Sequence, residues 1–318
     1  MLEIMLHALV PIVFGIALGW IAGRLGILDA DRIRVISVYI VKVALPIALF
    51  VGTFSFKPNQ LENGSYLLTL MIALLVPWLI GLGVGFKAFR YQPAAAGILA
   101  LNCAFPDMAY FGVPVVGVVL GAGGLLPVVV GNIIVSVLVV PMTMVLLTRG
   151  AGPAGGGLRA AFGEVKTAVT QPLVWAPLLG AIMVMTGCTL PELATSSLEL
   201  MAKTAGGTAL FALGVMLSGL TFRFNREVAL VLIMKNFLMP ALALGMACVL
   251  GLSGDLAKGA VLVVACPCAT ANAMFASTYR ACEESTTAAV LASTLAAIPT
   301  MALWIYVVET IWGMTRGG

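Results

Sequence analysis

Read by hydropathy, the chain is a succession of apolar runs of about 20 residues, the length that crosses the hydrocarbon core of a bilayer. They fall near 4–23, 34–55, 65–89, 94–121, 125–148, 167–187, 203–222, 227–250, 256–280 and 286–310, which predicts ten transmembrane spans. Two of the ten cannot be continuous helices. The fourth, Ala94 to Gly121, holds Asn102, Pro106 and Asp107 at its middle, with Gly112 and Pro114 close behind. A proline inside a helix costs roughly 3 kcal/mol, and a carboxylate at mid-bilayer costs about 2.5–3.5 kcal/mol. The ninth, Leu256 to Arg280, breaks at Cys266-Pro267-Cys268 and places Thr270 and Asn272 just beyond. Irregular backbone at membrane depth persists only where protein or a water-filled cavity surrounds it. Both stretches are therefore predicted to be broken helices lining a site.

Composition fixes the class. With 61% hydrophobic and 9% charged residues and a mean hydropathy of +1.11, the chain lies far from soluble domains, in which charged residues are about 25%. An all-α integral membrane protein follows. The first apolar run has no basic segment before it and is followed by Arg24, so it reads as a span and not as a cleaved signal.

The longest polar interruption, Arg149 to Lys166, is Gly-rich and divides the spans into five and five. The expected organisation is one membrane domain over 1–318, with a first repeat at 1–148, a linker at 149–166 and a second repeat at 167–318. An odd number of spans per half inverts the second relative to the first. Traces of such a repeat occur at near-constant offset: Ala48-Leu49-Phe50 and Ala209-Leu210-Phe211 are 161 apart, and Pro141-Met142-Thr143-Met144 resembles Pro299-Thr300-Met301 at 158.

The net charge of +4 has a topological origin and implies no nucleic acid. Eleven basic residues lie in the loops after spans 1, 3, 5, 7 and 9, against four on the other side. The basic side faces the cytoplasm, which puts both termini outside, in a bacterial inner membrane. The polar segment Pro191 to Lys203 is expected to be a short helix on the outer surface.

Asp107 is the acidic residue placed deep in the membrane. It can serve as a proton or cation site in the break, or cap the half-helix that follows by accepting its free N–H groups. Asn102, Thr270 and Asn272 can satisfy freed backbone or contact a ligand. The half-helices after the breaks begin near Asp107 and Ala269, so their positive ends point toward the middle, where an anion is stabilised. Lys42, four residues before Pro46, reads either as a counter-ion for an anionic substrate or for Asp107, or as a snorkelling lysine. Lys235, nearer its cytoplasmic end, reads as snorkelling. The six cysteines show no disulfide or zinc spacing, and Cys266-Pro267-Cys268 with one histidine does not make a soft-metal carrier. No serine–histidine–acid set or membrane-protease acid pair is visible, so an enzyme is not expected, and neither is a cofactor beyond a coupling proton or sodium ion.

The string AFPDMAYFGVPVVGVVLG resembles the first crossover of the auxin efflux carrier family, with Phe105, Gly112, Pro114 and Gly121 in place. The string CPCATANAMFASTY is similar to the second, through Pro267, Ala269, Asn272, Ala273 and Tyr279. The bacterial branch that includes malonate carriers is the one it looks most like. The resemblance implies two inverted five-span repeats with crossing broken helices at spans 4 and 9, alternating access by a bundle moving against a scaffold, and a small carboxylate substrate. It departs from the family at two positions: Asp107 stands where asparagine is usual, and Cys268 where threonine is usual.

The function expected is secondary active transport of malonate or a related dicarboxylate, cation-coupled. Substrate contacts are expected from Asn102, Asp107, Tyr110, Gly112, Thr270, Asn272 and Lys42, helix breaks from Pro106, Pro114 and Pro267, and coupling from Asp107. Lipid and the substrate are the expected partners, with a homodimer open as an assembly. A passive channel or membrane sensor on the same fold, and a sodium-coupled carrier of another organic acid, are the alternatives.

Overall fold

The computed structural model describes residues 2–28, 30–54, 63–121, 125–149, 172–188, 190–219 and 224–313. Within them the chain is helical, joined by short turns and one isolated antiparallel bridge. The Gly-rich linker beyond Arg149 lies outside the described residues.

Helix α1 (Leu2–Arg24) ends where Gly26 takes a φ of +69°. The Ile27 N–H then reaches back to the Ala22 carbonyl at 3.0 Å, closing the end as glycine-terminated helices do. Helix α2 covers 30–54, its two α-helical lengths joined by a π-turn, Ile40–Ala44. Helix α3 (Gly64–Lys87) starts on Asn63, whose side chain accepts the Tyr66 N–H at 3.1 Å. Helix α4 (Pro93–Ala104) opens on a proline, which loses no hydrogen bond there. It stops at Phe105 because Pro106 cannot continue it. Helix α5 (Met108–Leu120) follows, beginning with a π-turn, Met108–Gly112.

Helix α6 covers 126–149 around the π-turn Val135–Val139. Then come α7 (Pro172–Met185), α8 (Glu192–Ser218) and α9 (Arg226–Val249), the last with a π-turn at Met234–Leu238. The series ends with α10 (Gly254–Val264), α11 (Ala271–Tyr279) and α12 (Glu283–Trp312). Among the described residues, five helices are long and apolar enough to cross a membrane: α3, α6, α8, α9 and α12. Shorter apolar lengths, Val13–Arg24 and Val35–Val51 within α1 and α2 and the half-helices α4 and α5, lie beside them.

The polar segment from Pro191 to Lys203 is not a separate surface helix. It forms the first turns of α8, which runs unbroken to Ser218. No proline or glycine interrupts it before Gly206. Its hydroxyls return to the backbone of the preceding turn, Ser196 to Glu192 at 2.9 Å and Ser197 to Leu193 at 2.7 Å, so polarity does not end the helix.

Packing brings α1 along α8 and α7 along α2, while α4 lies against α3 and α6, and α10 against α9 and α12. The α1–α8 seam is a backbone contact. A Cβ on Gly19 would overlap the Phe211 carbonyl, and one on Gly214 would overlap the Ile16 carbonyl. Small residues let helices in lipid approach this closely and gain dispersion energy. Helices α4 and α10 are different in kind: residues 96–104 of one and 257–264 of the other are buried on every side. Helices that are apolar all round belong at the centre, and both deliver their carboxyl ends, with the breaks that follow, into the interior.

Candidate functional site

The two breaks cross and are stitched together by their backbones. Asp107 N–H donates to the Pro267 carbonyl at 2.8 Å, and Ala269 N–H donates to the Phe105 carbonyl at 3.0 Å. Pro106 and Cys268 face each other in an antiparallel bridge. Each proline lacks an N–H, and the partner break uses the carbonyls and N–H groups that a continuous helix would have paired internally.

Asp107, 3% exposed, lies where the amino ends of two half-helices converge. Its Oδ1 accepts the Tyr110 N–H at 3.0 Å, within its own half-helix α5. Its Oδ2 accepts both the N–H and the hydroxyl of Thr270 at 3.3 Å, immediately before α11. One carboxylate thus caps both half-helices, and two sets of N–H donors and two positive dipole ends act on it together. The capping role and an anion-binding geometry occupy the same atoms.

The carboxyl ends of the other two half-helices are met by side-chain donors. Asn272, fully buried, donates to the Leu101 carbonyl of α4 at 3.4 Å and to Cys268 Sγ at 3.2 Å. Its Oδ1 is buried with no hydrogen-bond partner, an acceptor left open at the crossing. Asn102 donates to Thr286 of α12 at 2.9 Å. Behind the second break, Cys268 N–H donates to Ser293 Oγ at 2.9 Å, and Ser293 donates to Asn236 at 3.0 Å. Asn236 in turn donates to Thr300 at 3.1 Å, and its carbonyl accepts the Trp304 indole at 2.8 Å. This network ties α9 and α12 to the crossing.

The structure therefore gathers Asn102, Asp107, Thr270 and Asn272 at one place, with Pro106 and Pro267 buried at the crossing itself. Tyr110 is half-buried, with its backbone N–H on Asp107. Gly112 is buried, with Cys266 Sγ 3.3 Å from where its Cβ would stand. Pro114 is buried in α5 beyond the π-turn and does not break it. Lys42 is exposed on its π-turn and makes none of the hydrogen bonds of the crossing. Among the described side chains of that turn, Ile40 and Ala44 are buried.

Lys235 does not snorkel. It is fully buried, with Nζ 3.4 Å from the Val264 carbonyl at the carboxyl end of α10 and 3.1 Å from Met239 Sδ. Sequence reasoning missed its destination and that of Asn236. Both sit in the π-turn 234–238, and the extra residue of a π-turn shifts which face points inward.

At the rim, the phenol of Tyr91 donates to the Glu227 carboxylate, joining the α3–α4 turn to the start of α9. Burial, followed by that bond to a carboxylate, holds this phenol above the usual tyrosine range, so it remains a donor.

The family model described as "Membrane transport protein" matches residues 4–154 and 161–305. The chain belongs to this family, the auxin efflux carriers. A transporter from Escherichia coli K12, "Uncharacterized transporter YfdV", is 30% identical over 313 residues, covering 96% of this chain and 98% of its own. The proteins of the same name from Escherichia coli O157:H7 and Shigella flexneri match to the same extent. As a member of this family the protein is a multi-pass membrane protein of the transporter type, and the crossing of α4–α5 with α10–α11 is its candidate site.

Proposed function

We propose that the protein is a secondary active transporter of a small organic anion, malonate or a related dicarboxylate, working by alternating access across a bacterial inner membrane. The observation that carries this reading is the convergence of two half-helix amino ends on one buried carboxylate. That cradle suits a carboxylate, and Asp107 fills it. Protonation of Asp107 weakens its hold on the Tyr110 and Thr270 donors, and an incoming carboxylate takes them over. Proton and substrate then favour each other's binding, which is the thermodynamic content of symport. Substrate class comes from the auxin efflux carrier resemblance and from this donor set.

Ten spans in two inverted repeats are the architecture that goes with this reading. In support, α1 pairs with α8 as α7 pairs with α2, and the two breaks exchange equivalent backbone hydrogen bonds. The family match is interrupted between 154 and 161, inside the Gly-rich stretch. The excess of basic residues on one set of loops puts both termini outside.

The test is counterflow in proteoliposomes. Labelled malonate should enter vesicles preloaded with unlabelled malonate and transiently exceed its equilibrium level, which a passive channel cannot produce. No exchange of malonate, malate, succinate, oxalate or lactate, with or without a proton gradient, would overturn the proposal.

A further inference from the structure

The four helix ends at the crossing are served unequally. Both amino ends are capped by Asp107. The carboxyl end of α4 receives a neutral donor, the Asn272 amide at Leu101. The carboxyl end of α10 receives a charged one, the Lys235 ammonium at Val264. Carbonyls at a helix carboxyl end carry partial negative charge and no intrahelical partner, and in a membrane interior such carbonyls are where a small cation is held. Lysine fills that position here.

The surroundings of Lys235 make a structural explanation insufficient. It is completely enclosed, and the titratable groups around it are Cys103 of α4, Cys266 and Cys268 of the second break, and Asp107 of the first. The residues that α12 presents to the neighbouring Asn236, Ser293 and Thr300, are neutral. Among these groups only Asp107 is a carboxylate. An ammonium has three donors, whereas the acceptors it meets among the described residues are one carbonyl at a loose 3.4 Å and one thioether. A core that needed only packing would place methionine or leucine there, since burying a charge this sparsely paired is costly. The charge has a use: with Asp107 ionised at the amino ends and Lys235 at a carboxyl end, the crossing is neutral as a whole without any added ion. The acceptor left open at the crossing, Asn272 Oδ1, is a single oxygen and cannot replace an ion's hydration shell.

We propose that the Lys235 ammonium is the resident cation of the crossing, filling the place at the α10 carboxyl end that a coupling sodium ion would otherwise take, so that the cycle runs without sodium. The inference rests on the transporter reading above for the word cycle, but its first test does not. Purified protein in detergent is melted in sodium chloride and in choline chloride at equal ionic strength. The wild type should melt at the same temperature in both. Lys235→Gln, which puts a carbonyl oxygen where the ammonium was, should melt lower in choline and recover in saturating sodium by on the order of 4 °C. Lys235→Arg keeps the charge and should stay insensitive to sodium. In vesicles, counterflow by the wild type should be undiminished when choline replaces sodium.

Sodium-dependent stabilisation of the wild type, or loss of its counterflow in choline, would overturn the inference. So would a Lys235→Gln protein that melts like the wild type in choline, which would mean the lysine carries no charge that matters. If Lys235→Gln does not fold, the wild-type and Lys235→Arg arms decide alone. If no carboxylate is exchanged at all, the transporter reading fails while the melting arms still report on the resident cation.

Discussion

The α1–α8 seam and the crossing are both places where backbones meet inside the molecule, and they are held by opposite means. Along the seam, Gly19 and Gly214 bring main chains into van der Waals contact, each facing a carbonyl of the other helix. At the crossing, contact is made by backbone hydrogen bonds, Asp107 N–H to the Pro267 carbonyl and Ala269 N–H to the Phe105 carbonyl, and the helix ends are completed by side chains, Asp107 at both amino ends and Asn272 and Lys235 at the carboxyl ends. A seam built on shape has one good arrangement, because any displacement loses many small contacts together. A junction built on a few exchangeable donors and acceptors has several, because a proton or a ligand atom can substitute for one partner at similar energy. The seam is thus suited to the static part of a carrier and the crossing to the part that changes.

The largest effect should come from the seam. Gly19→Leu forces a side chain into the Phe211 carbonyl, and helix backbone cannot yield as a side-chain tip can. We expect a loss of at least about 4 kcal/mol, seen as failure to recover monodisperse protein from membranes. Wild-type yield from this variant would show that the seam is looser than the geometry requires.

Next is Asn236→Leu, which removes the anchor between the second break and α12. Ser293 and Thr300 lose a buried partner, at a cost of about 1–3 kcal/mol. The protein should still fold but melt lower, and substrate exchange should fall with it. An unchanged melting point would detach this network from the crossing.

Asp107→Asn keeps the shape and one acceptor oxygen but removes the charge shared by two half-helices. It should fold with a cost of about 1–2 kcal/mol. Exchange of substrate should persist while accumulation no longer responds to a proton gradient. Equal gradient-driven accumulation by this variant and the wild type would return Asp107 to capping alone.

The smallest effect, and the control for the seam, is Gly83→Ala. Gly83 lies within α3 and a Cβ there meets nothing within 4 Å. Alanine should stabilise the helix by roughly 0.5–1 kcal/mol, read as a small rise in melting temperature. A destabilised Gly83→Ala would mean that glycine in these helices matters for reasons other than contact.

Both breaks were legible because proline and asparagine in an apolar run contradict a continuous helix whatever surrounds them. Asp107 was legible for the same reason, since no packing arrangement makes a mid-membrane carboxylate cheap. Lys42 and Lys235 were not. Each lies in a π-turn, and π-turns arise from packing and leave little trace in hydropathy. The turn at 40–44 leaves Lys42 exposed, whereas the turn at 234–238 buries Lys235. The start of α8 is not legible because polarity in sequence suggests a boundary, whereas its serines and threonines bond within the helix and leave it continuous.

Helix α8 also has a mechanical side. Its fully buried residues begin only at Ala205, and the preceding turns, Glu192 to Thr204, are a length on the order of 20 Å that is partly covered at most. The buried part meets α1 through Gly19 and Gly214, and the less buried length joins it where Thr204 meets the Tyr39 phenol at 2.9 Å. Directly beyond that contact stand Gly206 and Gly207, adjacent residues with no side chains to stiffen the turn, and such pairs are where helices bend. Load on the less buried half of α8 would bend it at Gly206-Gly207 first, and the seam beyond would be spared the strain.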